Sequence, residues 1–297
     1  MRIFHHEQHV KHCKRSSILK LETEEGLLVG HQACSDFLVG QVLKLLGEPA
    51  LLEADSQKLL LSEVTSVFTE EDNKSLENPP DKDEVREVLF QSNLNAAPGT
   101  DGITYLLYKE HWDLLGEPLV QVVQAVHQGK ELSKSQRTSL MVFGAKPKKV
   151  TSLKPSDKRR ISLLNSDFKI ITGLDAARFK RTFTHTLSPA QMVAGDDRRI
   201  HHMINQARDC IFAVSKSKLG CALLDLDFVA AFDMQVFSWV YAVLRAKGVS
   251  EQSINRLKNI YQNSVTIPVV NNVRALPIQN RRENLRQGCP GSMGWFS

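Results

Sequence analysis

The stretch from Leu223 to Asp233, LLDLDFVAAFD, constrains this chain more than any other. A short apolar run, Cys221 to Leu224, leads into three carboxylates, Asp225, Asp227 and Asp233, with Phe232 beside the last. On a strand, side chains alternate faces, so Asp225 and Asp227 point the same way. A carboxylate at the end of a buried strand is costly unless something positive sits against it. A divalent metal carrying a nucleoside triphosphate is one such partner. The same acids can instead cap a following helix, Ala230 to Lys247, whose N-terminal dipole favours negative charge. From this stretch alone the two readings stand level.

The charge distribution adds to it. The net charge is +5, yet between Lys130 and Arg181 fourteen Lys and Arg stand against only four acids. A basic belt just before an acid cluster points to a polyanion, nucleic acid or nucleotide phosphate, bound at one surface. A solvated loop with snorkelling lysines is the plainer alternative. At 297 residues, 42% apolar and 24% charged, the chain suits one large domain or two ordinary ones, mostly folded. Five scattered cysteines without a CxxC pair read as a reduced, intracellular protein, nuclear or cytoplasmic. The N-terminus lacks an apolar signal region, and no run nears the roughly 18 apolar residues of a membrane span. His5 and His9 have metal-ligand spacing if helical, but a frayed polar terminus is expected there.

The pattern predicts a hairpin over Ser17–Val29 and a helix over His31–Leu46 with Cys34, Phe37, Leu38, Val42 and Leu45 on one face. Ser56–Val67 is a second apolar-periodic segment, and the polar run after it, TEEDNKSLENPPDKDE, reads as a linker. Asp81 and Glu84 form a capping-box signature for a helix to Asn93. Asn95–Ile103 is a turn-rich loop, and Thr104–Gln128 is helical with a break near Gly116–Pro118. A strand at Ser139–Phe143, a basic loop and a returning strand at Ile161–Leu164 precede a helix capped by Ser166 or Asp167. Further on come helix over Gln206–Val214, a turn at Lys216–Gly220, the acid-bearing strand Cys221–Leu226, and a hairpin about Asn271-Asn272.

Four segments then stand in a specific order: the AAPGTDGI loop, the basic hairpin ending in RRISLLNSDFKIIT, LLDLDFVAAFD, and LRQGCPGSM. Together they resemble the reverse transcriptases of non-long-terminal-repeat (LINE-like) retrotransposons, from about Ile18 on and most clearly from Asn95. The resemblance implies an RNA-directed DNA polymerase with an RNA template, a DNA primer, deoxynucleoside triphosphates and Mg2+ or Mn2+. The family's D-x-x-x-A-F-D pattern starts here at Asp227, which the resemblance makes the catalytic metal ligand; Asp225 is a neighbouring acid. Phe232 falls on the steric gate against a ribose 2′-hydroxyl. Arg159 falls on the arginine of W-R-P-I-S-L-L-N, as a triphosphate contact with Lys146 or Lys148 beside it; Lys158 and Arg160 replace the Trp and Pro. Gln287 and Gly288 match the Q-G pair under the template base and nucleotide, where glycine permits close backbone approach. Arg198, in place of an arginine of a G-R-S-I segment, and Pro98 and Gly99 of the AAPGTDGI loop are the implied template contacts.

One family element is not seen: the Y/F-A-D-D hairpin that supplies paired aspartates. The sequence given stops before it, which implies a catalytically incomplete fragment whose metals lack ligands. The expected fold is α+β: right-hand polymerase fingers and a partial palm over 81–297, with a helical N-terminal extension over 1–80. The palm sheet would be incomplete, with an exposed edge, and the thumb absent. Two other readings remain at this stage: a non-catalytic nucleic-acid-binding remnant, and an intron maturase-type reverse transcriptase, which shares the motif order.

Overall fold

The structure is a computed structural model and describes residues 17–50, 53–65, 67–183, 199–217, 222, 224, 226–228 and 230–296. It opens with the hairpin of β1 (Lys20–Thr23) and β2 (Gly26–Val29), paired antiparallel from Lys20↔Val29 to Thr23↔Gly26. Helix α1 (His31–Leu46) follows and buries Cys34, Leu38, Val42 and Leu46, one per turn. Helix α2 spans Ala54–Ser62 and buries none of its side chains.

The polar run expected to be a linker instead holds helix α3 (Glu70–Glu77). Local and tertiary forces make it. Thr69 and Asp72 form a capping box, with Asp72 N donating to Thr69 Oγ1 at 3.1 Å and Thr69 N to Asp72 Oδ2 at 2.9 Å. Its one apolar side chain, Leu76, is fully buried, and the guanidinium of Arg256 donates to the Leu76 carbonyl at 3.1 Å. Helix α4 (Lys82–Gln91) starts from the Asp81–Glu84 capping box and buries Val85 and Leu89.

Helices α5 (Tyr105–Glu110) and α6 (Trp112–His127) meet at His111. The break therefore falls before Gly116–Pro118, and Pro118 lies inside α6. It sits on the exposed side of the helix, where water can meet the backbone group it leaves unpaired. The single turn α7 (Lys134–Arg137) leads into β3 (Thr138–Ala145). After the basic loop, β4 (Lys158–Leu163) returns antiparallel, from Leu140↔Leu163 to Ala145↔Lys158. Helix α8 (Ser166–Phe183) starts two residues past β4, and helix α9 covers Ile200–Ser217, longer at both ends than the pattern predicts and taking in Lys216.

The strand expected over Cys221–Leu226 is not formed among its described residues: Ala222, Leu224 and Leu226 are exposed and belong to no ladder. A strand exists through its partners, and none of the described strands pairs there. The helix expected from Ala230 to Lys247 is two pieces, α10 (Ala231–Met234) and α11 (Phe237–Ala246). Between them Gln235 and Val236 are extended, because Val236 bridges to Asn284 and Leu285 N donates to Gln235 O at 3.0 Å. Helix α12 (Glu251–Tyr261) precedes β5 (Val265–Val270), β6 (Val273–Arg274) and β7 (Ile278–Gln279); the five-residue α13 covers Ser292–Phe296. Strand β5 lies parallel to β3 and antiparallel to β6 and β7, so the second sheet runs β4-β3-β5-β6 with β7 also on β5. Asn271 and Asn272 take φ of 51° and 67°, the paired left-handed geometry of a two-residue hairpin turn.

The largest core joins α3, α4, α6, α8, α11 and α12 around Phe168, Phe179 and Phe237, which are among the largest fully buried side chains. Two smaller clusters seat α1 on the second sheet: Cys34 and Leu38 with Val270, and Val42 and Leu46 with Met141 and Ile278. A boundary at residue 80 therefore has no core on its N-terminal side alone. Hairpin β1–β2 and α1 pack on the sheet, and Leu76 packs in the helical core. Among the described residues no helix is long and apolar enough to cross a membrane. Cys34, Cys210 and Cys289 are free thiols.

Leu76→Ala tests this unity. Truncating a fully buried leucine costs about 2–5 kcal/mol. Denaturant unfolding followed by far-UV circular dichroism and by tryptophan fluorescence should show both probes shifting together. A shift in only one would mean that α3 belongs to a separate unit.

Candidate functional site

Strand β4 is the rail on which the site is assembled. Ser162 N donates to Gln287 O at 2.7 Å, docking the Gln287-Gly288 turn directly on the strand. Gly288 has φ of 121°, and a Cβ there would collide with the Ser162 carbonyl oxygen. Only glycine allows that approach in that conformation. Two residues back along β4, Arg160 donates from Nε at 2.9 Å and from Nη2 at 2.5 Å to Asp233 Oδ2. The Asp233 carbonyl in turn accepts from Asn284 Nδ2 at 3.2 Å. Backbone and side chains thus close a circuit from β4 through α10 and residues 283–287 back to β4.

At the C-terminal end of β4 the AAPGTDGI loop is tied down as firmly. Gly99 lies so close to Asn165 that a Cβ would collide with its amide oxygen, and Thr100 N donates to that oxygen at 2.9 Å. Asn165 Nδ2 reaches Ser135 Oγ at 3.0 Å, and Ser166 Oγ donates to Ile103 O at 2.6 Å. Lys169 is buried, donates to Ala97 O at 2.9 Å, and lies 4.8 Å from the centre of the Tyr105 ring. Burial lowers the Lys169 ammonium below its ordinary value, opposed by the charge of Asp101. Burial also pushes the Tyr105 hydroxyl up to about 12.

Between these segments opens a cleft of ≈ 610 Å³. Its walls include Ala96 and Ala97 of the loop, Ile161 to Leu163 of β4 with Leu164 after it, Tyr105, Lys169, Phe232, and Gln287 to Pro290. Phe232, Gln287 and Gly288, three residues singled out from the sequence, therefore meet in one cavity. Pro98 and Gly99 adjoin its Ala96-Ala97 wall along the chain.

The basic loop stands at the other end of β4. Asp157 organises it: Lys149 Nζ donates to Oδ1 at 2.8 Å and Ser152 Oγ to Oδ2 at 2.6 Å. Lys146 N donates to the Asp157 carbonyl at 2.9 Å, and Lys158 Nζ to Ser152 O at 2.8 Å. The bond from Lys149, then that from Ser152, holds the Asp157 carboxyl below its usual range. Hairpin β1–β2 braces the loop through Glu22 N to Leu153 O at 3.0 Å. Lys146, Lys148 and Arg159 are exposed on this hairpin, and no described carboxylate ion-pairs with them. They do not line the cleft itself.

Asp227 is exposed, and among the described residues no three His, Cys, Asp or Glu side chains converge as a metal site. Asp225, Arg198 and the His5–His9 pair lie outside the described residues. Sequence reasoning missed two members of the site. Arg160 was visible only as a departure from a pattern; its partner lies 73 residues away. Lys169 sits in a helix start that reads as ordinary packing.

The arrangement suits a ligand with a flat apolar part and phosphates: a cleft with an aromatic wall and a glycine in its lining, beside a hairpin on which Lys146, Lys148 and Arg159 are exposed. No family model matches the sequence. The chain is similar to the "Transposon TX1 uncharacterized 149 kDa protein" of Xenopus laevis, 29% identical over 231 residues, covering 78% of this chain and 17% of that protein. The chain thus spans about a sixth of the length of the relative it matches.

Two outcomes follow from this geometry. Gly288→Ala should separate the turn from β4 and cost about 1–3 kcal/mol for the strained φ alone, read as a lowered Tm and faster amide exchange at Ser162. An unchanged Ser162 amide would refute the close approach. The Asp157 tie has a depressed folded pKa, so its stabilisation is present above the ordinary value of 3.8 and is lost as pH falls through the folded value. Backbone NMR shifts of Lys146 and Ser152 should stay constant down to about pH 4 and move below it. In Lys149→Met that movement should begin at higher pH.

Proposed function

We propose that this chain is the template- and nucleotide-facing part of a reverse transcriptase, an RNA-directed DNA polymerase, encoded by a LINE-like retrotransposon. The observation that carries this reading is the convergence on β4: Phe232 and the Gln287-Gly288 turn line one cleft, while Arg159 is exposed at the end of the same strand that joins the basic loop. Phosphoryl transfer depends on positioning and charge stabilisation more than on covalent chemistry by the protein. Each residue has a positioning role in this scheme. Arg159, with Lys146 or Lys148, holds the triphosphate of a deoxynucleoside triphosphate. Phe232 excludes the ribose 2′-hydroxyl. Gln287 and Gly288 support the template base and the incoming nucleotide. Pro98, Gly99 and Arg198 line the path of the RNA template and its DNA primer. The similarity to a transposon-encoded protein supports the origin.

A divalent cation, Mg2+ or Mn2+, would supply charge stabilisation for the attacking and leaving oxygens. Asp227 offers the hard oxygen donor such an ion takes, but one carboxylate does not make a site. With no further ligands converging there among the described residues, no step is assigned to the metal, and this chain by itself is expected to bind template–primer without extending it. A second reading, a nucleic-acid-binding remnant, needs only the exposed basic hairpin and the cleft.

Binding of the next complementary deoxynucleoside triphosphate to the chain on a dideoxy-terminated RNA template–DNA primer with Mg2+ tests the proposal. Changing Lys146, Lys148 and Arg159 together to alanine should weaken nucleotide binding by at least about tenfold and make it less salt-dependent, with template–primer binding itself near wild type. Unaltered nucleotide affinity would sink it, and a loss of template–primer binding with no nucleotide effect would favour the remnant. Primer extension in Mg2+ separates the readings of activity: incorporation by the wild-type chain would exclude the remnant and show that the metal ligands are complete.

A further inference from the structure

Arg160 occupies a position that neither the phosphate contacts nor the cleft lining explains. Its guanidinium donates twice to Asp233 Oδ2, at 2.9 and 2.5 Å. The pair is mostly shielded, with side chains 24% and 16% exposed. Attraction in such a setting is stronger than between freely solvated charges.

What the pair holds matters more than its strength. Asp233 directly follows Phe232, the aromatic wall of the cleft. Both sit in α10, only four residues long, entered from Ala230 at φ 52° and left through an extended Gln235. A single helical turn has little stability of its own. The path of α10 is therefore set by what grips it from outside. On one side Asn284 holds the Asp233 carbonyl and Leu285 holds Gln235; on the other Arg160 holds the Asp233 carboxylate from β4. Strand β4 also carries Ser162, which fixes Gln287 and Gly288, part of the cleft wall that the docked turn supplies. One strand thus fixes both Phe232 and the docked turn.

We infer that Arg160 is a positioning residue that sets the aperture of the cleft by locking Phe232, and so determines how sharply a 2′-deoxynucleotide is distinguished from a ribonucleotide. The inference rests on the nucleotide-binding reading above. Rejection of one added hydroxyl by a fitted apolar wall is worth on the order of 100-fold, and it depends on the wall keeping its place. Without the Arg160 anchor, α10 keeps its contacts to Arg282, Asn284 and Leu285 and the packing of Phe232 on the main core, but loses its tie to β4 through Asp233. The wall can then recede from the sugar.

The test is equilibrium binding of the next complementary deoxynucleoside triphosphate, and of its ribonucleotide counterpart, to the chain on a dideoxy-terminated template–primer with Mg2+. Arg160→Ala should reduce the preference for the deoxynucleotide by about tenfold, through a gain in ribonucleotide affinity. Arg160→Lys, which keeps the charge but not the two-point grip, should fall between, and covers the case in which the alanine variant folds poorly. The exchanged pair Arg160→Asp with Asp233→Arg should recover part of the preference, which a merely structural defect would not. An unchanged preference in Arg160→Ala and Arg160→Lys, or an equal loss of both nucleotides, overturns the inference. If the wild-type chain binds neither nucleotide, the polymerase reading fails and the inference with it.

Discussion

The hydrogen bond from Ser162 N to Gln287 O, with Gly288 pressed against the Ser162 carbonyl, is the contact on which the site depends. It joins two stretches 125 residues apart in sequence at main-chain distance. That is possible because, among the described strands, β4 pairs only with β3, and its other side meets the turn. An unpaired strand edge is ordinarily a liability. Here it is partly covered by the turn, and Arg160 on the same strand reaches out to α10.

The surrounding helical core explains how such a strand is held. Arg178 pairs with Glu84 at 2.6 Å, and Arg256 lies 3.1 Å from Asp175, although not aligned as a hydrogen bond. Both guanidinium groups also donate to the Leu76 carbonyl. Buried ion pairs add little net stability over apolar packing, but losing one partner is costly, so they fix one arrangement of α3, α4, α8 and α12 against others. Arg286 is the extreme case. It is buried, ion-pairs with no described carboxylate and lies 4.7 Å from the Phe168 ring centre, and burial pushes its guanidinium below the ordinary value. Its place next to Gln287 links the helical core to the docked turn.

Much of this was legible in the chain itself. The α1 stripe, the Asp81–Glu84 capping box and the Asn271-Asn272 turn are local devices, and local devices read directly from residue type and spacing. Phe232, Gln287 and Gly288 were picked out by motif and meet in space. The failures share one cause. Helix α3 looked like a linker because its only apolar anchor is Leu76, whose carbonyl is held by Arg178 and Arg256, 102 and 180 residues away. The break between α10 and α11 is imposed by Asn284 and Leu285, which no reading of residues 230–247 contains. The expected acid-bearing strand had the right composition, but composition supplies no ladder partner.

Residue types and short spacings were enough to single out groups suited to a phosphate-bearing ligand: the basic belt, the glycine turns, the aromatic before Asp233. Those properties belong to single side chains, and they survive any fold. Which of them act together was settled by packing. It put Phe232 and Gly288 in one cleft, left Arg159 outside it, made Asp157 the tie of the basic loop, and gave Arg160 a carboxylate partner. Each of those outcomes depends on distances between residues remote in sequence, which are set by how strands and helices pack and not by the residues' own preferences.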